Sequence, residues 1–255
     1  MSARLLRSSI RRPMADLETT RALVARACRV LGKLELARGT TGHVSARADD
    51  GTILVRGRGP GETGVRYTEA TDVLAVDASG RKLDGPADLE APHEVFIHTA
   101  LYRADPTTRA VLHVHPRTVV LFTITDTPLL PLYGAYDPGG LRLALGGIAS
   151  YPRSVLVADD RLGDELARAM GTARACLMRG HGLTTRGGSV EEAVDVAVRV
   201  AELAEVNYRA RLLGEPRPIP DEDIATFSQA ERPWRRDAAW RYYCRLTGEE
   251  GGDAS

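Results

Sequence analysis

Residues 110–116 read Ala110-Val111-Leu112-His113-Val114-His115-Pro116. The apolar run Ala110–Val114, stopped near a proline, reads as a short strand that ends at a rim. Residues two apart on a strand project from one face, so His113 and His115 can chelate a single ion. The same pair also reads as two half-buried histidines of a strand end, and the stretch alone leaves both readings open.

On the N-terminal side, Pro92 suits the first turn of a helix running to about Arg103. Further back, Val44–Ala48 and Thr52–Arg56 flank Asp49-Asp50-Gly51, a hairpin signal. Residues 56–64 form a glycine-rich loop, Val73–Val76 is a strand ending in the turn Asp77–Gly80, and residues 16–36 carry helical periodicity. On the C-terminal side a helix is expected over Arg117–Thr123 and an irregular stretch after Gly134. Then come a strand over Ser154–Ala158, a helix over Asp160–Met170 and a strand over Ala175–Met178 closed by Gly180-His181-Gly182. Ser189 with Glu192 is a capping box for a helix that Gly214 stops. Pro216, Pro218 and Pro220 lead to an amphipathic piece with Trp234, Trp240, Tyr242 and Tyr243.

Short strands joined by tight turns, mixed with helices, point to an α/β fold with a mostly antiparallel sheet and helices on its faces. Three parts are expected: a flexible arginine-rich tail over 1–15, where Met14 is an alternative start; a catalytic domain over 16–215; and an extension over 216–255 packing on that domain or on a neighbouring subunit.

The 255 residues carry 34 basic and 34 acidic side chains. Zero net charge argues against a nucleic-acid partner, and no apolar run approaches the ~20 residues of a membrane span. Cys28, Cys176 and Cys244 are odd in number and widely spaced, which suits a reducing cytoplasm rather than a disulfide framework. Lys33 and Lys82 are the only lysines and neither sits in an apolar stretch, so imine chemistry is not expected.

All six histidines fall between positions 43 and 181. Pro92-His93-Glu94-Val95-Phe96-Ile97-His98 is not a zincin motif, because the second histidine comes one place late. Glu94 lies in the first helical turn, where the dipole favours a carboxylate; taken alone it is an ordinary helix-start glutamate. His181, between two glycines, would add a third neutral nitrogen to His113 and His115, the usual number for an open catalytic site.

Together these residues resemble the class II aldolase/adducin family. The resemblance rests on Gly42-His43-Val44-Ser45, on Glu94 placed nineteen residues before His113, on His113-Val114-His115-Pro116, on Gly180-His181-Gly182, and on the segment Tyr67–Asp77. It implies a three-layer α/β/α domain with a central mostly antiparallel sheet. It further implies a homotetramer with active sites between subunits, His113, His115 and His181 as metal ligands, and Glu94 as acid/base. Zinc is the usual ion, with manganese, cobalt or iron in relatives. Tyr133 and Tyr136 lie where the family offers a tyrosine across the subunit boundary.

Departures from the family pattern bear on the substrate. His43 replaces the asparagine of the phosphate site, Pro92 and His93 replace two serines, and Arg56-Gly57-Arg58-Gly59-Pro60-Gly61 replaces a hydroxyl-bearing loop. The expected ligand is therefore a carboxylate held by Arg56, Arg58 and His43 rather than a sugar phosphate. The resemblance is nearest to the family's decarboxylases of hydroxylated aromatic carboxylates, with His93 or Glu94 returning the proton. The alternative is an aldolase or epimerase acting on a non-phosphorylated hydroxy-keto compound or sugar derivative.

Overall fold

The structure is a computed structural model describing residues 11–125, 127–133, 136–229 and 236–248. Strands β1 (His43–Arg47), β2 (Ile53–Arg56), β3 (Val73–Val76), β4 (Lys82–Asp84), β5 (Ala110–Val114), β6 (Ala149–Tyr151), β7 (Ala175–Met178) and β8 (Gly182–Gly187) form one sheet in the order β4-β3-β2-β1-β5-β8-β7-β6. Every pairing is antiparallel except β6 with β7. The helices are α1 (Arg11–Lys33), α2 (Val95–Ala104), α3 (Arg117–Thr123), α4 (Pro138–Leu145), α5 (Asp160–Met170), α6 (Val190–Leu213), α7 (Asp221–Gln229) and α8 (Arg236–Leu246).

The strand period of two sorts the side chains into two cores. Val44, Leu54, Leu112 and Val114 pack with Val24 and Leu31 of α1, Val119 of α3, Val194 of α6, and Trp240 and Cys244 of α8. Ile53, Val55 and Val111 face the other way, onto Ile97 and Leu101 of α2 and Leu162 and Leu166 of α5. Helices thus cover both faces, giving the three-layer α/β/α arrangement. Each leucine withdrawn from water in these cores contributes about 1.5–3 kcal/mol. His113 shares the parity of Val111, so the strand itself aims the imidazole into the α2/α5 layer.

Several elements differ from the sequence expectations. Helix α1 takes in residues 11–15 of the expected tail; Pro13 falls in its first turn, where a missing N–H costs nothing. Residues 1–10 and Trp234 lie outside the described residues. Helix α2 begins at Val95 with Glu94 as its N-cap, three residues later than Pro92. No strand forms over 154–158; the edge strand is β6 instead. Helix α4 and strand β8 were not expected. Ser189 caps α6 by accepting from the Glu192 N–H, but the Glu192 carboxylate takes the Gly188 N–H, so the capping box is only half made. Cys28, Cys176 and Cys244 are buried, and none forms a disulfide among the described residues. No helix among the described residues is long and apolar enough to cross a membrane.

Candidate metal centre and substrate cleft

The site is built where three neighbouring strands end. In the register of the sheet His43 of β1 lies opposite His113 of β5, and Val114 lies opposite Leu183 of β8. His115 follows β5, and His181 immediately precedes β8. The tight turn that carries His181 closes through a bond from its N–H to the Met178 carbonyl (3.1 Å), with Gly180 in the left-handed region at φ 59°. Gly182 is required for a different reason. A Cβ there would lie 2.7 Å from Cδ2 of His115 and closer still to the Val114 carbonyl, so only hydrogen lets β8 approach the ring.

Three imidazole nitrogens converge. Nε2 of His113 is 2.9 Å from Nε2 of His115 and 3.2 Å from Nε2 of His181. Oε2 of Glu94 is 3.4 Å from the His181 nitrogen and 3.7 Å from that of His113. All four ligand atoms fall within 4.8 Å of one another. Buried nitrogens crowded this closely repel once protonated, and burial together with the neighbouring imidazoles His43, His115 and His181 holds His113 well below the usual histidine range. Burial and His181 also lower His115, against an opposing pull from Glu94. Neutral imidazoles with lone pairs aimed at one point, plus a carboxylate, match the donor set of a divalent ion. The Thr184 hydroxyl, 3.0 Å from Nδ1 of His113, can take that ring's only hydrogen and leave Nε2 as the donor atom.

Glu94 is fixed from behind. Its Oε1 accepts the Val157 N–H at 2.9 Å, which leaves Oε2 turned to the histidines. Burial pushes its pKa up, but His181, the Val157 N–H and His115 together outweigh that, and the carboxyl sits below its ordinary value.

A cleft of about 780 Å³ opens over this cluster, bordered by His43, Arg58, Glu62, His93, Glu94, His115, Leu156 and His181. Its size suits a small organic ligand. Of the residues expected there, His43, Arg58, His93 and Glu94 reach it. Arg56 does not. Its side chain is fully buried and bonded to the Glu62 carboxylate, Thr68 Oγ1 and the Thr40 carbonyl. Arg56 shares strand parity with Leu54, so it points to the α1 layer and closes the loop from below. Arg58 gives Nε to Glu62 at 2.9 Å, and its terminal nitrogens remain without a partner among the described residues. Tyr133 and Tyr136 pack against each other with ring centroids 5.6 Å apart and do not line this chain's cleft. Tyr136 is 80% exposed, and the Tyr133 hydroxyl is buried without a partner among the described residues.

One neighbour of the site was not expected from sequence. His98 is buried behind His43, with Nε2 2.6 Å from Nδ1 of His43 and Nδ1 2.6 Å from Oγ of Ser45. The available signal was its face: at i+4 from Glu94 on a helix, it had to point toward the same layer.

Comparison with known proteins gives the family and the fold. The profile of the "Class II Aldolase and Adducin N-terminal domain" matches residues 22–208. The 3,4-dihydroxyphthalate decarboxylase of Arthrobacter keyseri is 40% identical over 228 residues, covering 87% of this chain and 91% of its own. The enzyme of that name from Rhodococcus jostii (strain RHA1) is 35% identical over 232 residues, 89% of this chain and 95% of its own. Among solved structures, L-fuculose 1-phosphate aldolase from Glaciozyma antarctica PI12 shares the fold, with a TM-score of 0.77 at 19% identity over 94% of each chain. With a profile match spanning all three strands of the histidine centre, this chain belongs to the class II aldolase and adducin family.

Proposed function

We propose that the protein is a metal-dependent decarboxylase of a dihydroxylated aromatic dicarboxylate, of the 3,4-dihydroxyphthalate kind. The observation that carries this reading is the 40% identity, over 87% of the chain, to a decarboxylase of that compound. The cleft supports it with a free-ended guanidinium at Arg58 and imidazoles at 43 and 93. Full retention of Glu94, His113, His115 and His181 argues for a lyase rather than a scaffold.

His113, His115 and His181 would hold one divalent ion, zinc first among the expected occupants and manganese, cobalt or iron after it, and bound there it would supply a Lewis acid for substrate hydroxyl and carboxylate oxygens. The chain's own residues do the rest. Arg58 and His43 orient the dianion against the cleft wall. Oε2 of Glu94 accepts the proton of a ring hydroxyl, which raises electron density on the ring. The bond to the departing carboxylate breaks, its electron pair stays on the ring carbon, and carbon dioxide leaves. Glu94, or His93 at the cleft mouth, then delivers one proton to that carbon. The balance is one carboxylate and one proton in, one carbon dioxide and one ring C–H out.

The same proposal includes a cytoplasmic homotetramer in which Tyr133 or Tyr136 of a neighbouring subunit completes the cleft. The Tyr133 hydroxyl, without a partner among the described residues, and the exposed Tyr136 ring support it.

The test is purified, metal-loaded enzyme with 3,4-dihydroxyphthalate, scored for carbon dioxide and a dihydroxybenzoate in equal amounts. Cleavage of L-fuculose 1-phosphate or a hydroxy-keto acid, with no carbon dioxide from any dihydroxyphthalate, would assign the protein to the aldol lyases instead.

A further inference from the structure

Behind the cleft a buried chain links His43 to three side chains that the reaction above does not use. Nδ1 of His43 meets Nε2 of His98 at 2.6 Å, Nδ1 of His98 meets Oγ of Ser45 at 2.6 Å, and the same Oγ meets the Tyr102 hydroxyl at 2.8 Å. His43, Ser45, His98 and Tyr102 are all buried. Arg47 stacks on the Tyr102 ring, 5.1 Å from its centroid, and bonds to its carbonyl, so the far end is anchored.

Each link holds one hydrogen, and the chain can run in only two directions. If His43 donated to His98, His98 would donate to Ser45, and the serine hydrogen would go to Tyr102 or to the Val111 carbonyl, 3.5 Å away. In the first case the Tyr102 hydrogen would lose Ser45 as its acceptor; in the second, Ser45 Oγ could accept from both His98 and Tyr102, but its own hydrogen would be left with a carbonyl at 3.5 Å, far longer than an ordinary O–H···O bond. In the other direction every hydrogen is used. Tyr102 donates to Ser45, Ser45 to Nδ1 of His98, and Nε2–H of His98 to Nδ1 of His43. A buried hydroxyl whose hydrogen is unmatched, or matched only at 3.5 Å, forfeits most of a hydrogen bond, on the order of 1 kcal/mol, and this favours the second direction.

We propose that His98, Ser45 and Tyr102 are positioning residues that hold His43 in the tautomer bearing its hydrogen on Nε2, so that His43 offers an N–H to an anionic substrate oxygen. The geometry favours this use, since Nδ1 is engaged behind and His43 borders the cleft. A free imidazole interconverts tautomers and would present an acceptor to the carboxylate part of the time; the chain removes that alternative. The assignment of a substrate to this wall rests on the proposed function, whereas the tautomer does not.

Two measurements test it. Neutron diffraction from crystals of the metal-loaded enzyme exchanged into deuterated solvent should place deuterium on Nε2 of both His43 and His98; deuterium on Nδ1 of His43 would overturn the inference. In solution, Tyr102→Phe removes the hydroxyl that sets the direction. It should raise KM for 3,4-dihydroxyphthalate about 2–10-fold while leaving kcat and metal content intact, the scale of one weakened hydrogen bond. In a His43→Asn background, whose amide is a donor without help, Tyr102→Phe should add nothing. An equal rise in both backgrounds would mean that Tyr102 acts through general packing and would sink the relay. If the wild type releases no carbon dioxide from dihydroxyphthalates yet deuterium sits on Nε2, the substrate reading fails and the tautomer assignment stands.

Discussion

Two of the molecule's polar clusters are put together on opposite principles. On α6, Arg199 is gripped by Asp195 at 2.7 Å and by Asp137, which precedes α4. A cation lies between two carboxylates, so each charge in the group meets its opposite. At the ends of β5 and β8, His113, His115 and His181 face one another with nothing of opposite charge among them except Glu94. The imidazole nitrogens crowd to 2.9 and 3.2 Å, and Nδ1 of His181 has no partner among the described residues. A cluster that satisfies itself stabilises the fold; a cluster whose donor atoms converge and remain wanting is complete only with something added.

The sharpest way to break this contrast is His115→Ala. It should strip the ion and abolish turnover while leaving the melting temperature of the metal-free protein nearly unchanged, because the lost ring made no satisfied bond there. Elemental analysis and a thermal scan check both halves, and full metal occupancy in the variant would refute the ligand assignment. Glu94→Gln keeps the shape and the Val157 bond but removes the base. It should retain most of the metal and lose about 10²–10⁴-fold in rate.

Arg199→Met should do the reverse of His115→Ala. Two buried carboxylates would be left without their cation, costing about 3–5 kcal/mol in denaturant unfolding, while metal content stays normal. Acid sharpens the picture further. Burial holds His98 down at about 3, and His43 lies well below its ordinary value of 6.5. Both are neutral in the folded chain and protonate near 6.5 once unfolded. The unfolded state therefore binds more protons below pH 6.5, and stability falls as pH drops from there toward 3. In metal-free protein, His98→Gln should flatten that fall by about 1.4 kcal/mol per pH unit below pH 6, read from urea midpoints. An unchanged slope would mean that His98 is charged in the fold. The smallest expected effect is at Arg58: Arg58→Lys keeps the charge but loses the planar fork, and should raise KM several-fold with kcat little changed.

The same contrast explains what could be seen in the sequence. His113 and His115 were legible because strand parity and a terminal proline are local facts. The pairs Val44–Ala48 with Thr52–Arg56, and the helices over 117–123 and 160–170, were legible for the same reason. Strand β8 was hidden because Gly182-Leu183-Thr184-Thr185-Arg186-Gly187 is buried on both faces yet framed by glycines, so it shows neither alternation nor an apolar run. Residues 154–158 looked like a strand through Val155, Leu156 and Val157. Their backbone instead serves the site, with the Val157 N–H spent on Glu94. Helix α4 opens on Pro138-Gly139-Gly140, a turn signal that tertiary packing overrides. Arg56 was misjudged because the loop's composition was weighed before its parity; counting from Leu54 sends it away from the cleft. The helix face that His98 shares with Glu94 was legible, but its role behind His43 was not, because its hydrogen-bond partners lie 53 and 55 residues away.

The glycine at 182 carries a consequence for how such an enzyme can be altered. One wall of the cleft consists of strand ends locked by register, and no side chain fits where β8 passes His115. The other wall is the loop around Arg58 and the Pro92-His93 step ahead of α2, which hydrogen-bond to the strands at few points. Variation is therefore channelled: changes at 58, 92 and 93 can retune which molecule is accepted while the wall of strand ends stays as it is. A library confined to those three positions should yield folded, metal-competent proteins with shifted substrate preference, whereas one that includes 182 should mostly yield proteins that have lost the site altogether.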